Sequence, residues 1–385
     1  MPVGKKWSSE MREFFDPKTG AKIQKLTNYR CNSHHLYFTN NCWYDHHTKF
    51  VFVSERDNRI NLCSMDMNTY EITQLTDLPE IGLKYDGDLQ CSFVDGVRNK
   101  AYFRYGKELF SLDLMNFETR LLYQIPDGYV ASMISCKDDC PYVYTSIYQD
   151  LSNLFPIDLH HQYVGFEEIW AHHPHSQIIQ IQADGSGHRY IFEEYSWIGH
   201  VNLSPTDDTK LTYCHEGPWY KVDNRIWGLD VATGKNWMIR PRTSGESVGH
   251  EYWYEDGIHI GYHGQYDDDN KVIGVVRFDN TENEEERFNF FTGHIFSRDK
   301  QLIVGDGGQY IRLWKFDGKE YGQPKALAYH NSSMKQQEAH PHPRITPDGK
   351  HVMFSTDKCG YINIYLAEIP DNLEELPDIS KLSEM

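Results

Sequence analysis

The chain of 385 residues has no apolar run near the roughly 20 residues that a membrane-spanning helix requires. Its opening, Met-Pro-Val-Gly-Lys-Lys, lacks the apolar core of a secretory signal. The expected location is therefore the cytoplasm, or the periplasm if this is a mature form. Cysteine is sparse: the eight stand at 31, 42, 63, 91, 136, 140, 214 and 359, scattered as reduced structural thiols would be. Cys136-x-x-x-Cys140 could be half of a zinc knuckle, but no second pair stands at matching spacing. Basic residues are outnumbered, 38 Lys and Arg against 56 Asp and Glu, for a net charge of −18. That excludes general nucleic-acid binding and opposes long polyanions unless a cation or local arginines reverse the field. No Gly-x-Ser-x-Gly elbow is present, which argues against a Ser–His–Asp hydrolase. No linker-like stretch divides the chain, which disfavours two β-sandwiches in tandem.

What is abundant is aromatic and β-forming: 26 Tyr, 19 Phe and 9 Trp, residues that favour strands. A unit recurs, made of a strand-like run, a second run, an Asp-containing turn and a third run. Lys49-Phe-Val-Phe-Val-Ser is followed by Ile60-Asn-Leu-Cys-Ser-Met-Asp and Glu71-Ile-Thr-Gln-Leu-Thr. Lys100-Ala-Tyr-Phe-Arg-Tyr and Lys210-Leu-Thr-Tyr-Cys open similar units. Starts near 49, 100, 140, 210, 256, 300 and 350 give seven units, mostly 40–51 residues apart. Repeats of this period with several strands each predict an all-β fold, a seven-bladed β-propeller. A blade cannot bury both faces alone, so blades must stack in a ring. Residues 1–385 are read as one propeller domain, with an insertion over 148–168 in the longest gap and an acidic, peripheral tail over 371–385. The last unit lacks a third run after Ile369. Ala21-Lys-Ile-Gln-Lys-Leu-Thr resembles one, so the N-terminus is expected to supply the outer strand of the last blade.

Chemistry is concentrated in histidine, of which there are 20. In Gln337-Glu-Ala-His340-Pro-His342-Pro, two histidines one residue apart project to one side of an extended segment, and Pro341 stiffens the pair. Gln337 could add an oxygen, giving half of a metal site. The alternative is an exposed His-Pro loop. His172-His173-Pro-His175 is a rival cluster, and His46-His47 is expected to be solvated. His200, His215, His250, His294, His340 and His342 recur near blade boundaries, positions that converge on one end of a propeller's central channel.

Ser196-Trp-Ile-Gly-His200, Cys214-His-Glu-Gly-Pro218, Arg225-Ile-Trp, Gly245-Glu-Ser-Val-Gly-His250-Glu-Tyr-Trp253, Gly293-His294, Val304-Gly-Asp-Gly307 and the Gln337–Pro343 run together resemble the oligogalacturonate lyase family of seven-bladed, pectin-degrading propellers. The resemblance spans nearly the whole chain. It implies β-elimination at a 4-linked uronate, with a divalent ion, most often manganese, held by His294, His340, His342 and Gln337. It implies His250 as the proton-abstracting base and Arg225 as an active-site cation that can grip a carboxylate in bidentate fashion, with His200 and His215 lining the same cleft. The implied partner is a short acidic oligosaccharide, with no nucleic acid and no membrane; the oligomeric state is left open. One departure is Ser204, where the family pattern has an arginine. It predicts a weaker cationic subsite, a preference for short oligomers, or a different uronate. A non-catalytic propeller binding a protein or glycan is the competing reading.

Overall fold

The computed structural model describes residues 2–79, 87–243, 245–266, 270–288, 290 and 292–382. Its strands form seven antiparallel sheets, the seven blades of an all-β propeller. The repeat starts read from sequence fall at the second strand of each blade: Lys49–Ser54, Lys100–Tyr105, Tyr142–Gln149, Lys210–His215, His259–Gln265, Leu302–Gly307 and His351–Thr356. Inside each lies a further strand that the repeat pattern does not display: Ser33–His35, Phe93–Asp95, Tyr129–Ser135, Ile198–Leu203, Ser247–Trp253, Ile295–Ser297 and Arg344–Ile345.

Second strands are buried along almost their whole length, as in Lys49–Ser54, because neighbouring blades cover both faces. Phe50, Phe52, Tyr213, Tyr262 and Phe354 on these strands are essentially inaccessible and fill the space between blades. Full burial of such a side chain stabilises by roughly 1.5–3 kcal/mol. Outer strands are open to solvent, as in His188–Tyr195.

The Asp-containing turn has one physical origin throughout. Asp66, Asp113, Asp184, Asp230, Asp279 and Asp317 each end or follow a third strand and accept a backbone N–H two or three residues on, at 2.7–3.2 Å. These Asx turns reverse the chain into the fourth strand.

Blade seven is completed from the other end of the chain. Lys22–Lys25 pairs with Asn363–Glu368, Ile23 facing Ala367 and Lys25 facing Tyr365. Arg12–Phe15 adds a fifth strand outside it, through a turn in which Asp16 repeats the Asx device. Lys6–Trp7 then pairs with Ile72–Gln74 of blade one. The N-terminal segment thus spans the seam, and buried Arg56 of blade one grips Glu10 through both terminal nitrogens, at 2.5 and 3.0 Å.

The segment inserted in blade three runs between Tyr142–Gln149 and His175–Gln182 and carries the helix Phe166–Ala171. Among its described residues, 371–382, the acidic tail carries no strand, and its Leu373, Leu376 and Ile379 are buried. It lies on the rim of blade six, where Asp378 bridges to Lys325.

Candidate metal centre and active site

Three Gly-His pairs stand on or just before the innermost strands of blades four, five and six: Gly199-His200, Gly249-His250 and Gly293-His294. Close approach requires each glycine. A Cβ on Gly199 would stand 2.6 Å from a Glu216 oxygen, on Gly249 2.4 Å from the Trp219 ring, and on Gly293 2.7 Å from an Asp306 oxygen. His200 and His250 sit where strand register shifts, between Ile198 and Val201 and between Gly249 and Tyr252. Such bulges re-aim a side chain that strict alternation would send between the sheets.

The His-Pro-His run enters just before blade seven. Gln337–Ala339 forms a 3-10 turn, His340 is extended, and His342 is left-handed with φ 45°. The pairing of the two rings therefore does not come from simple strand alternation. The Pro341 carbonyl accepts from the Ser355 amide at 3.1 Å and faces His35 Nε2 at 3.1 Å, which pins the loop.

His294, His340 and His342 bring ligand-capable atoms within 4.8 Å of one another. Among the described residues this is the one group of three or more His, Cys, Asp or Glu so placed. The nitrogen accounting fits a cation. His294 Nδ1 is 3.0 Å from Asp306 Oδ2, and the His294 amide donates to Asp306 Oδ1 at 2.5 Å. That leaves His294 Nε2 as the outward atom, the arrangement in which a carboxylate behind a ligating ring fixes its tautomer. His340 Nδ1 is buried without a partner, as is His342 Nε2. Leaving a buried polar atom unpaired costs about 1–3 kcal/mol; two in one cluster mark the place of an electron-pair acceptor. Gln337 donates its amide nitrogen to the Tyr163 hydroxyl at 2.6 Å, so its carbonyl oxygen is the end left to act as ligand. Tyr163 belongs to the blade-three insertion. Burial, then neighbouring His294, pushes His340 down to about 4 and His342 well below the usual imidazole range. The donor set is neutral, and nitrogen with amide oxygen suits a first-row divalent ion.

His250 adjoins this cluster without joining it. Its ring centre lies 4.5 Å from that of His294, and the Trp219 indole meets it edge-on at 4.9 Å. Burial first, then His294, His263 and Arg225, hold it well below the usual range, so it is neutral near pH 7. His200 is close by, 5.3 Å from the Tyr37 ring and 3.6 Å from Glu216, and is also pushed down by burial.

Arg225 reaches the site, centred 5.8 Å from the Trp219 ring, but its fork is not free. Nη1 donates to Glu216 at 2.6 Å and Nε to Glu251 at 3.3 Å. A guanidinium only 4% exposed requires such partners. Three of its five N–H groups remain, one on Nη1 and two on Nη2.

His215 does not line the cleft. It points to the opposite face of its strand from Cys214 and Glu216, with Nδ1 2.7 Å from Asp223 and Nε2 2.8 Å from Glu194. Burial opposes its charge, but the two carboxylates raise it to about 9. Ser204 is fully buried and donates to the Gly257 carbonyl at 3.0 Å. It lies about 13 Å of extended chain beyond His200, so an arginine lost there does not mark a weakened subsite. The rival His172, His173 and His175 do not converge; His172 and His173 are exposed, and His175 bonds Tyr129 at 2.8 Å. His46 and His47 are exposed in a left-handed turn.

Sequence reasoning passed over His263, whose Nε2 is 2.9 Å from His250 Nδ1. It also passed over Asp306, Tyr37, Trp219 and Tyr163. The available signal for His263 was the hairpin about Asp256-Gly257, whose register sets it opposite Gly249.

Comparison with known proteins agrees with this geometry. The family profile described as oligogalacturonate lyase matches residues 1–373. The oligogalacturonide lyase of Pectobacterium atrosepticum is 28% identical, over 97% of this chain and the whole of that protein. The oligogalacturonate lyase of Dickeya dadantii is 29% identical over the same shares. A solved oligogalacturonate lyase in complex with manganese superposes with a TM-score of 0.87 at 25% identity, covering 97% of this chain and all of that one. The oligogalacturonate lyase of Vibrio parahaemolyticus, 23% identical, shares the fold with a TM-score of 0.85 over 96% of this chain and 99% of that one. This chain belongs to the oligogalacturonate lyase family.

Proposed function

We propose that this protein is a metal-dependent lyase that cleaves short 4-linked oligogalacturonides by β-elimination, leaving a 4,5-unsaturated uronate on one product. The observation that carries the reading is the cluster of three histidines, two of them with a partnerless buried nitrogen, beside a fourth, neutral His250. Relatives named for oligogalacturonate and a relative solved with manganese support the substrate class and the ion.

The chemistry needs a base at C5 and stabilisation of the negative charge that builds on the adjacent carboxylate. His250 is the base: burial keeps it neutral and able to accept a proton. His294, His340, His342 and Gln337 would hold a divalent ion, which supplies positive charge undiminished by any carboxylate ligand to the substrate's own carboxylate. Arg225, braced by Glu216 and Glu251, offers its remaining Nη1 and Nη2 hydrogens as donors to a substrate oxygen. Trp219 packs against both Arg225 and His250 and holds their separation. No disulfide joins the eight cysteines, which supports a reducing compartment, the cytoplasm, as the place of action.

The test is to incubate the protein with di- and trigalacturonate, with and without a chelator, and follow absorbance of the unsaturated product. Product formation that a chelator abolishes and manganese restores is expected. Full activity in protein shown to be metal-free, or no unsaturated product from any uronate oligomer, would overturn the reading.

A further inference from the structure

His263 is buried on the second strand of blade five and has no part in the reading above beyond its contact with His250. We propose that it is a positioning residue, which fixes the proton of His250 on Nδ1 and presents Nε2 to the substrate as the bare lone pair. The proposal rests on His250 being the base.

The argument is a proton count. His250 Nδ1 and His263 Nε2 are 2.9 Å apart, and two neutral imidazoles in such contact share a single proton. That contact alone does not say which ring donates; the role of His250 as base does. With Nδ1 turned to His263, Nε2 is the nitrogen left to face the substrate, and a base needs it bare. A neutral imidazole carries one N–H, so that of His250 stands on Nδ1. His250 then donates from Nδ1, His263 Nε2 accepts, and the N–H of His263 stands on its own Nδ1.

The surroundings hold this arrangement. The two rings are nearly parallel, 19° apart with centres at 5.1 Å, and the Trp219 indole stands edge-on to both. Gly249, directly opposite His263, cannot be replaced without a Cβ striking Trp219 at 2.4 Å. The arrangement parallels a protease triad, in which a third group orients the base without itself exchanging the proton.

The experiment compares manganese-loaded wild type, His263→Leu, His263→Gln and His250→Ala on trigalacturonate. Leucine removes the acceptor; glutamine restores one. His263→Leu is expected to lose about 10²-fold in kcat, the scale of a misdirected general base, with KM changed less than about threefold. His263→Gln should recover most of the loss, and both should keep near one manganese per chain. An unimpaired His263→Leu, equal impairment of both variants, or loss of metal from either would overturn the proposal. An active His250→Ala would instead overturn His250 as base, which separates the two failures. Should His263→Leu not fold, two-bond proton–nitrogen spectra of metal-free wild type decide: Nδ1–H on both rings supports the proposal, and Nε2–H on His250 refutes it.

Discussion

His250 and His215 have the same side chain and opposite electrostatics, because one is buried among cations and imidazoles and the other between carboxylates. His250→Ala should lower kcat by about 10²–10⁴-fold, the usual worth of a general base, and keep its metal; His342→Ala should lose the metal. Metal analysis beside kinetics checks both, and a metal-free His250→Ala would move that residue among the ligands. His215 acts on stability instead. Its folded value of about 9 lies above the ordinary 6.5. Its contribution is therefore fully present below pH 6.5 and fades as pH rises through about 9, on the order of 2–3 kcal/mol in all. The stability difference between wild type and His215→Gln, from urea unfolding at pH 6 and pH 9.5, should shrink at the higher pH. A constant difference would mean the ring is not protonated when folded. This also shows why His215 was misread: Cys-His-Glu-Gly-Pro gives the residues but not the strand face, and Cys214 and Glu216, not His215, turn toward the cleft.

At the level of strands and loops, the legible and illegible parts of the fold divide by layer. Second and third strands are apolar and regular because blades press on both faces, so their spacing fixed the count and even the seam. The innermost strands are short and carry Ser, Gly and His, such as Ser33–His35 and Ile198–Leu203. Bulges break three of them, Tyr129–Ser135, Ile198–Leu203 and Ser247–Trp253, so no regular hydrophobic period betrays those strands, yet two of the three carry the chemistry. The insertion is similar. Its length was visible, but its reach to the site was not, and Tyr163 on Gln337 and His160 on Glu338, at 3.0 Å, reveal it. Tyr163→Phe should free the Gln337 amide to turn and weaken manganese affinity roughly tenfold, as loss of a supporting hydrogen bond to a ligand typically does. Titration of the metal-free protein measures this, and unchanged affinity would remove Tyr163 from the site. At the seam, Ile23→Ala should cost about 2–4 kcal/mol, since Ile23 is wholly buried. Urea unfolding measures it, and a loss near that of an exposed site would show that the outer strand adds little.

For the molecule as a whole, the balance of −18 sets a field against the substrate it is built to take. A dimer or trimer enters the cleft, where neutral ligands and a bound cation dominate. A polymer must lie across more of the surface of this net-negative chain as well. The ratio of kcat/KM for trigalacturonate over polygalacturonate should therefore be large at 10 mM salt and fall by 150 mM, where charges further apart than about 8 Å no longer feel one another. A ratio indifferent to salt would assign chain-length preference to cleft shape alone. The closure of the ring has a consequence in time. Ile23 leaves the ribosome before the residues of all seven second strands, and its strand partner Ala367 belongs to the seventh blade. At about 5–20 residues per second, some 20–70 s separate them. Through that interval the opening strand has no native partner, and blades one to six stack as an open arc. A strand made ahead of blade one is thus placed only after blade seven exists, and emergence of Asn363–Glu368 is the step that lets the ring lock.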